Sequence, residues 1–181
     1  MPQLIAPDVL VHHSFLAAMA EFTADGRGTA ADNSIVGRDL RIWSRRWHDP
    51  AVFAEYVAEQ RAEASAKGHR PAGFVRCTNL WWTEGEEFLG RIAVRHTLTT
   101  FLREFGGHIG YDMRPSARRR GHATAMLRAA LPYAAALGID PALLTCDTGN
   151  TASRKVIQAC GGVFEDEHGG KLRFWVPTSF G

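Results

Sequence analysis

Residues 106–136, GGHIGYDMRPSARRRGHATAMLRAALPYAAA, limit the possible folds more than any other stretch of the chain. HIGYDMR alternates in polarity and reads as a strand. A basic turn follows at Arg118-Arg119-Arg120-Gly121-His122-Ala123. A helix is then expected over Gly121 to Leu137, with Ala123, Met126, Leu127, Ala130, Leu131 and Ala134 on one face. The first amides of a helix lack intrahelical partners and carry about half a positive charge. A strand, a basic turn and a helix start therefore make an anion site. Gly121 and the small Ala123 let a ligand approach the backbone closely. Pro132 removes a helical hydrogen bond, so a bend or irregularity is expected around residues 128–132.

The remainder supplies the other layers. Residues 4–11 read as a short first strand, at an edge because of Pro7. Ser14 is expected to cap a helix over Phe15 to Phe22, and residues 23–37 to form a surface loop. DLRIWSRRW is amphipathic; Trp43 and Trp47 form either a core stripe or a pocket wall. Asp49-Pro50 opens a helix carrying Val52, Phe53, Tyr56, Val57 and Gln60, with Gly68 expected to close it. From Phe74 the period becomes two, and FVRCTNLWWT and FLGRIAVRH form a hairpin turning at Glu84-Gly85-Glu86. Residues 97–105 connect to HIGYDMR. ALLTCD is a buried strand, Asn150 caps a helix through Ala159, Gly161-Gly162 ends it, and VFED with KLRFWVP makes a last hairpin. This order predicts the α/β class, a mixed sheet with helices packed on it.

The 181 residues suit one domain with a real core. The cysteines, Cys77, Cys146 and Cys160, are odd in number and lack metal-ligand spacing, which predicts free thiols in a reducing cytoplasm. The first residues show no basic start with a long apolar run, and no apolar stretch approaches the roughly 18 residues that span a bilayer. A net charge of +2 does not advertise nucleic-acid binding; the visible basic spots are Arg45-Arg46 and Arg118 to Arg120. His12 and His13 would point to opposite faces of a strand, and no metal is predicted.

Arg118, Gly121 and Ala123 fit the signature Gln/Arg-x-x-Gly-x-Gly/Ala, and TCDTGNTASRKVIQACGGVF supplies a strand, an Asn-capped helix and a glycine end. On these residues the chain resembles the GNAT superfamily of acyl-CoA-dependent N-acyltransferases. The resemblance is strongest over residues 73–177, and residues 1–72 read as a variable helical part of the same domain. GGHIGYDMRPS and SRKVIQACGG also resemble a bacterial subgroup of predicted acetyltransferases. The resemblance implies a central twisted, mostly antiparallel sheet flanked by helices, with acetyl-CoA as co-substrate. It implies a cofactor set of Asp112, Met113, Arg118, Arg119, Arg120, Gly121, His122, Ala123, Thr124, Asn150 and Ser153. The amides of Arg119 to Thr124 would hold the CoA pyrophosphate. The strand edge at Tyr111 to Met113 would pair with the pantetheine arm, and a bulge in that strand would open a V-shaped gap. The Met113 amide would then face the thioester oxygen.

The family's usual base and acid fall on Gly107 and Ile157, which cannot do that chemistry. His108 is the substitute base, with His96 and Glu104 behind it. Tyr111 is either the proton donor to the departing thiolate or a structural residue. Trp82, Arg95 and His96 are the candidate acceptor residues; Arg95 would hold an acidic group on the acceptor or form a surface ion pair. A covalent route through Cys146 lacks a partnered base. The expected activity is acetyl transfer to a primary amine by direct attack in a ternary complex. The acceptor would be a small molecule or a peptide, and a homodimer is compatible with exposed strand edges. Two alternatives stand beside this. One is a different donor, a longer acyl-CoA or an aminoacyl-tRNA, the latter requiring a broad basic surface. The other is a CoA-binding sensor without chemistry.

Overall fold

A computed structural model describes residues 1–67 and 70–179. Its strands are β1 (Gln3–Ile5), β2 (Cys77–Glu84), β3 (Glu87–Arg95), β4 (Ile109–Met113), β5 (Ala142–Asp147), β6 (Val163–His168) and β7 (Lys171–Val176). They form one seven-stranded sheet in the order β1-β2-β3-β4-β5-β7-β6. Every neighbouring pair is antiparallel except β4 and β5, which run parallel and pair only at Ile109 and Leu144. The mixed, mostly antiparallel sheet expected from the sequence is thus present.

Helices α1 (His12–Ala24), α2 (Ile35–Trp43) and α3 (Pro50–Ala62) pack on one face of the sheet, α4 (His122–Ala136) and α5 (Thr151–Ala159) on the other. Strand alternation sends adjacent residues to opposite faces, and β2 shows it directly. Trp81 joins Phe15, Tyr56 and Phe88 in the core under α1 and α3, whereas Trp82 joins Met126, Leu127 and Leu131 under α4. Both tryptophans are buried, as are Trp43 and Trp47. A fully polar group is also buried on the α1–α3 side. Arg91 Nη1 donates to Asp39 at 2.6 Å and to Tyr56 at 3.1 Å, and Nη2 donates to Gln60 at 2.8 Å. This network ties α2 and α3 to β3.

Several boundaries differ from expectation. β1 stops at Ile5, and Asp8 accepts from the Leu10 amide to cap a single 3-10 turn before α1. Ser14 lies inside α1 and is not its cap; its hydroxyl accepts from the Phe88 amide and the Arg114 guanidinium. The presumed loop to residue 37 already contains the start of α2, capped by Ser34 on the Gly37 amide. Asp49 caps α3 as expected; the helix ends at Ala62, and Gly68 lies outside the described residues. α4 runs unbroken across Pro132, because Ala130, Leu131 and Ala134 are fully buried and hold it to the sheet. No helix among the described residues is long and apolar enough to cross a membrane.

Candidate functional site

The site grows from the parting of β4 and β5. At its closed end His108 donates its amide to the Leu143 carbonyl at 2.7 Å, and its Nδ1 accepts the Leu143 amide at 2.9 Å. Gly107, at φ +65, sits against the same strand: a Cβ there would fall 2.5 Å from the Leu143 carbonyl oxygen. Beyond Ile109 the strands separate. No bulge does this, contrary to expectation, since β4 pairs with β3 in unbroken register from Val94–Ile109 to Gly90–Met113. Divergence from β5 alone opens the gap. Arg114 donates its amide to Leu89 of β3, so by alternation the Tyr111 and Met113 amides point away from β3, into the gap.

A cleft of about 760 Å³ lies along this gap, between β4, β5, the start of α5 and the loop before α2. Tyr111, Asp112, Arg95, Asn150 and Ser153 line it. Asn150 caps α5 by accepting from the Ser153 amide at 3.0 Å. The Ser153 hydroxyl then lies 2.7 Å from the Tyr111 hydroxyl. Burial pushes the Tyr111 phenol well above its ordinary pKa, more than the Ser153 hydrogen bond lowers it. The phenol is therefore protonated and a hydrogen-bond donor at neutral pH.

Asp112 faces the opposite side of β4 from Tyr111. Its Oδ1 accepts from Arg27 at 2.9 Å, and among the described residues its other oxygen has no donor. Arg27 also binds Asp32 at 2.9 Å and the Ser34 hydroxyl. Burial works against ionisation of Asp32, but hydrogen bonds from Ser34, the Gly28 amide and Arg27 prevail and hold its carboxyl well below the usual range. Arg95 forms no ion pair among the described residues; its Nη1 donates to the carbonyls of Gly106 at 3.0 Å and Gly107 at 3.1 Å. Burial lowers its pKa from the ordinary arginine value, only partly offset by the charges of Cys77, Asp112 and Glu63.

The turn ahead of α4 lies outside the lining of that cleft. Arg119 at φ +60 and Gly121 at φ +83 turn the chain into the helix. Among the described residues, the amides of Arg119, Arg120 and Gly121 have no backbone partner, and those of His122, Ala123 and Thr124 are the first-turn donors of α4. These form a continuous row of donors without backbone partners at the helix start. Nothing lies within 4 Å of a Cβ built on Gly121, so the row opens outward. Arg118 is held back from it, bonded to the Met113 carbonyl at 3.3 Å and ion-paired with Asp25 at 2.8 Å. Arg114, bonded to Glu21 at 2.7 Å, ties the preceding turn to α1 in the same way.

Three of the expected site residues lie elsewhere. Trp82 is packed under α4 and donates to His122 Nδ1 at 3.3 Å, because its strand position faces that core. His96 bonds Thr78 at 2.8 Å across β2 and β3 and does not line the cleft. His108 pins the closed end of the gap. Burial, then Arg103 and Arg95, lower its pKa, and with Nδ1 engaged by Leu143 its proton sits on Nε2. No free lone pair remains to accept another proton. Ile157 is fully buried in the core below α5. Sequence reasoning missed Arg27 with Asp32, and the Lys171–Asp147 pair at 2.6 Å on the cleft rim. The Asp32 and Ser34 turn chemistry was the only local hint of the former. The thiols of Cys77, Cys146 and Cys160 are free and buried.

Comparison with known proteins agrees with this architecture. The family described as acetyltransferase (GNAT) domain matches residues 21–163. No curated protein matches the chain. Among solved structures, the microcin C7 self-immunity acetyltransferase MccE, in complex with acetyl-CoA and AMP, superposes with a TM-score of 0.64 at 10% identity, over 97% of this chain and 92% of that one. RimJ of Mycobacterium smegmatis, in complex with CoA-disulfide, gives 0.66 at 18% identity, over 97% of this chain and 81% of its own. RimL, a ribosomal L7/L12 alpha-N-protein acetyltransferase in complex with coenzyme A, gives 0.59 at 14%, over 96% and 92%. At these identities the likeness is one of fold.

Proposed function

The chain belongs to the GNAT acetyltransferase family, and we propose that it works as a single domain moving the acetyl group of acetyl-CoA to a primary amine by direct attack in a ternary complex. The observation that carries this reading is the parted β4 edge, with two amides turned into the gap, leading to the open row of amides at α4. The row from Arg119 to Thr124 suits a pyrophosphate, for which backbone donors and the helix dipole act together. The Tyr111 and Met113 amides suit an extended pantetheine arm that pairs like an added strand. The Met113 amide then stabilises the oxyanion as the amine nitrogen bonds to the thioester carbon.

Collapse of that adduct breaks the C–S bond. CoA leaves as a thiolate, and the adduct nitrogen gives up its extra proton to water in the cleft. Tyr111, steadied by Ser153, donates a hydrogen bond to the thiolate. Its raised pKa makes full proton transfer uphill, so the proton comes finally from water at the cleft mouth. On the acceptor side, the free oxygen of Asp112 receives the incoming ammonium and passes its proton to solvent. The three buried free thiols are consistent with a reducing compartment.

One pair of observations favours a second reading, a CoA-binding module without turnover: Gly107 has no room for a carboxylate, and Ile157 is sealed in the core. Thiol release from acetyl-CoA across a panel of primary amines separates the two. Amine-dependent release supports the transferase; micromolar CoA binding with no release on any amine supports the module. Longer acyl-CoA donors in the same assay define the donor. Tyr111→Phe is expected to lower kcat about 3- to 10-fold with CoA affinity unchanged within threefold. A fall of about 100-fold or more would make Tyr111 the general acid.

A further inference from the structure

Arg95 stands out because its fork is half used. Nη1 is taken by the Gly106 and Gly107 carbonyls, while among the described residues Nε and Nη2 have no acceptor. Trp81 Nε1 is the one sealed side-chain donor without a partner among those residues, so these two donors reach open space. That space is the cleft, and behind it a second hollow of about 220 Å³ that Arg95 also lines. Gly110 makes room for the arrangement: a Cβ there would lie 3.4 Å from both Nη atoms. Gly110 and Asp112 share one face of β4, two residues and about 7 Å apart. The other cleft cations, Arg27 and Lys171, are already paired with carboxylates.

We propose that the free Nε–Nη2 edge of Arg95 is the anion subsite for the acceptor, and that the preferred acceptor is a primary amine that also bears a carboxylate. The inference rests on the acetyl-transfer reading for its placement of the amine at Asp112. A planar carboxylate accepts both edge donors of a guanidinium at once. Burial matters as well: Asp112 and Glu63 offset the desolvation of Arg95 only in part and neither contacts it, so a carboxylate seated directly on the free edge gains from that shielded cation. The spacing along β4 sets the reach, with the ammonium at Asp112 and the carboxylate about 7 Å away over Gly110.

The test compares glycine, β-alanine, 4-aminobutyrate and 6-aminohexanoate with their primary amides, on the intact protein with acetyl-CoA. At the best chain length the carboxylate is expected to exceed its amide about 10- to 100-fold in kcat/KM, mainly through KM. Arg95→Gln should bring that ratio to within threefold while CoA affinity is kept. Arg95→Lys should retain part of it, since the charge remains without the fork. Losing the bonds to Gly106 and Gly107 would lower carboxylate and amide alike, so the ratio separates recognition from structure. A wild-type ratio near one at every length, or a ratio preserved in Arg95→Gln, overturns the proposal. If CoA binds and no amine is acetylated, the transferase reading fails on its own. The subsite is then read by calorimetric titration of the CoA-loaded protein with 4-aminobutyrate and its amide. Binding confined to the carboxylate and lost in Arg95→Gln supports it; equal binding of the two overturns it.

Discussion

The two sides of the cleft are made of different materials. Toward α4 and α5 the functional groups are backbone amides and helix starts, supplied by consecutive residues such as Arg119 to Thr124. Toward α1–α3 they are side chains that meet across long loops. Arg27 reaches Asp112 over 85 residues, and Arg91 reaches Asp39 over 52. A backbone site needs only the right local conformation, so it tolerates most side-chain changes. A side-chain network depends on every partner, and losing one member leaves a buried charge or donor unsatisfied. The cofactor side is thus expected to be robust and the acceptor side fragile and open to variation.

Asp39→Ala tests the fragile side with the largest expected effect. It strands the Arg91 guanidinium, which is only 2% exposed. Removing one partner of a buried ion pair costs about 3–5 kcal/mol. For a chain of this size that lowers Tm by roughly 6–20 °C. Thermal unfolding monitored by circular dichroism measures it, and a loss below about 1 kcal/mol would show that the network is not integral to the fold. CoA affinity of the folded variant should stay within about threefold, because the row of amides lies on the other side of the sheet.

Gly121→Glu is the reciprocal change. The left-handed φ of +83 makes any side chain there cost about 1 kcal/mol, but a Cβ meets no atom within 4 Å, so the fold survives. The carboxylate would sit beside the donors meant for phosphate. CoA affinity by calorimetry should fall about 100-fold or more, while Gly121→Ala loses far less. Affinity within threefold of wild type would remove the row of amides as the pyrophosphate site and collapse the contrast between the two sides.

The same contrast explains what could be read from the sequence. The strand, turn and helix around Gly121 and the Asn150 cap were legible because spacing of a few residues dictates them. Tyr111 and Ser153 were both singled out, but their contact was not, since helix α4 and strand β5 separate them. Trp82 was misplaced because strand alternation shows only that adjacent tryptophans face opposite ways; that helices cover both faces, leaving neither ring in the cleft, emerges only from the fold. His108 as a base looked reasonable from its neighbours alone; only the β4–β5 contact shows its lone pair committed to Leu143. Arg27 and Asp32 sat in a Gly-, Thr- and Asp-rich stretch that resembles any surface loop, and only folding brings Asp112 to them.

Asp32→Asn should have the smallest effect, and it carries a sign that can be checked. One carboxylate oxygen accepts from Arg27 and the Gly28 amide, and the other accepts from the Ser34 amide. The site is partly exposed, so the expected loss is about 1 kcal/mol at neutral pH, or roughly 2–4 °C in Tm. The folded pKa of Asp32 is held below its unfolded value of about 3.9. Above that pH both states are ionised, and the stabilisation is complete. As pH falls through it, the unfolded chain binds a proton that the native protein refuses, and the stabilisation drains away toward the lower folded pKa. Unfolding scans from pH 7 to pH 3 should therefore show the wild type and Asp32→Asn converging at the acid end. A gap that stays constant over that range would mean that the carboxylate's charge is not what orders the loop before α2. The acceptor side would then depend on shape at this point, as the cofactor side does.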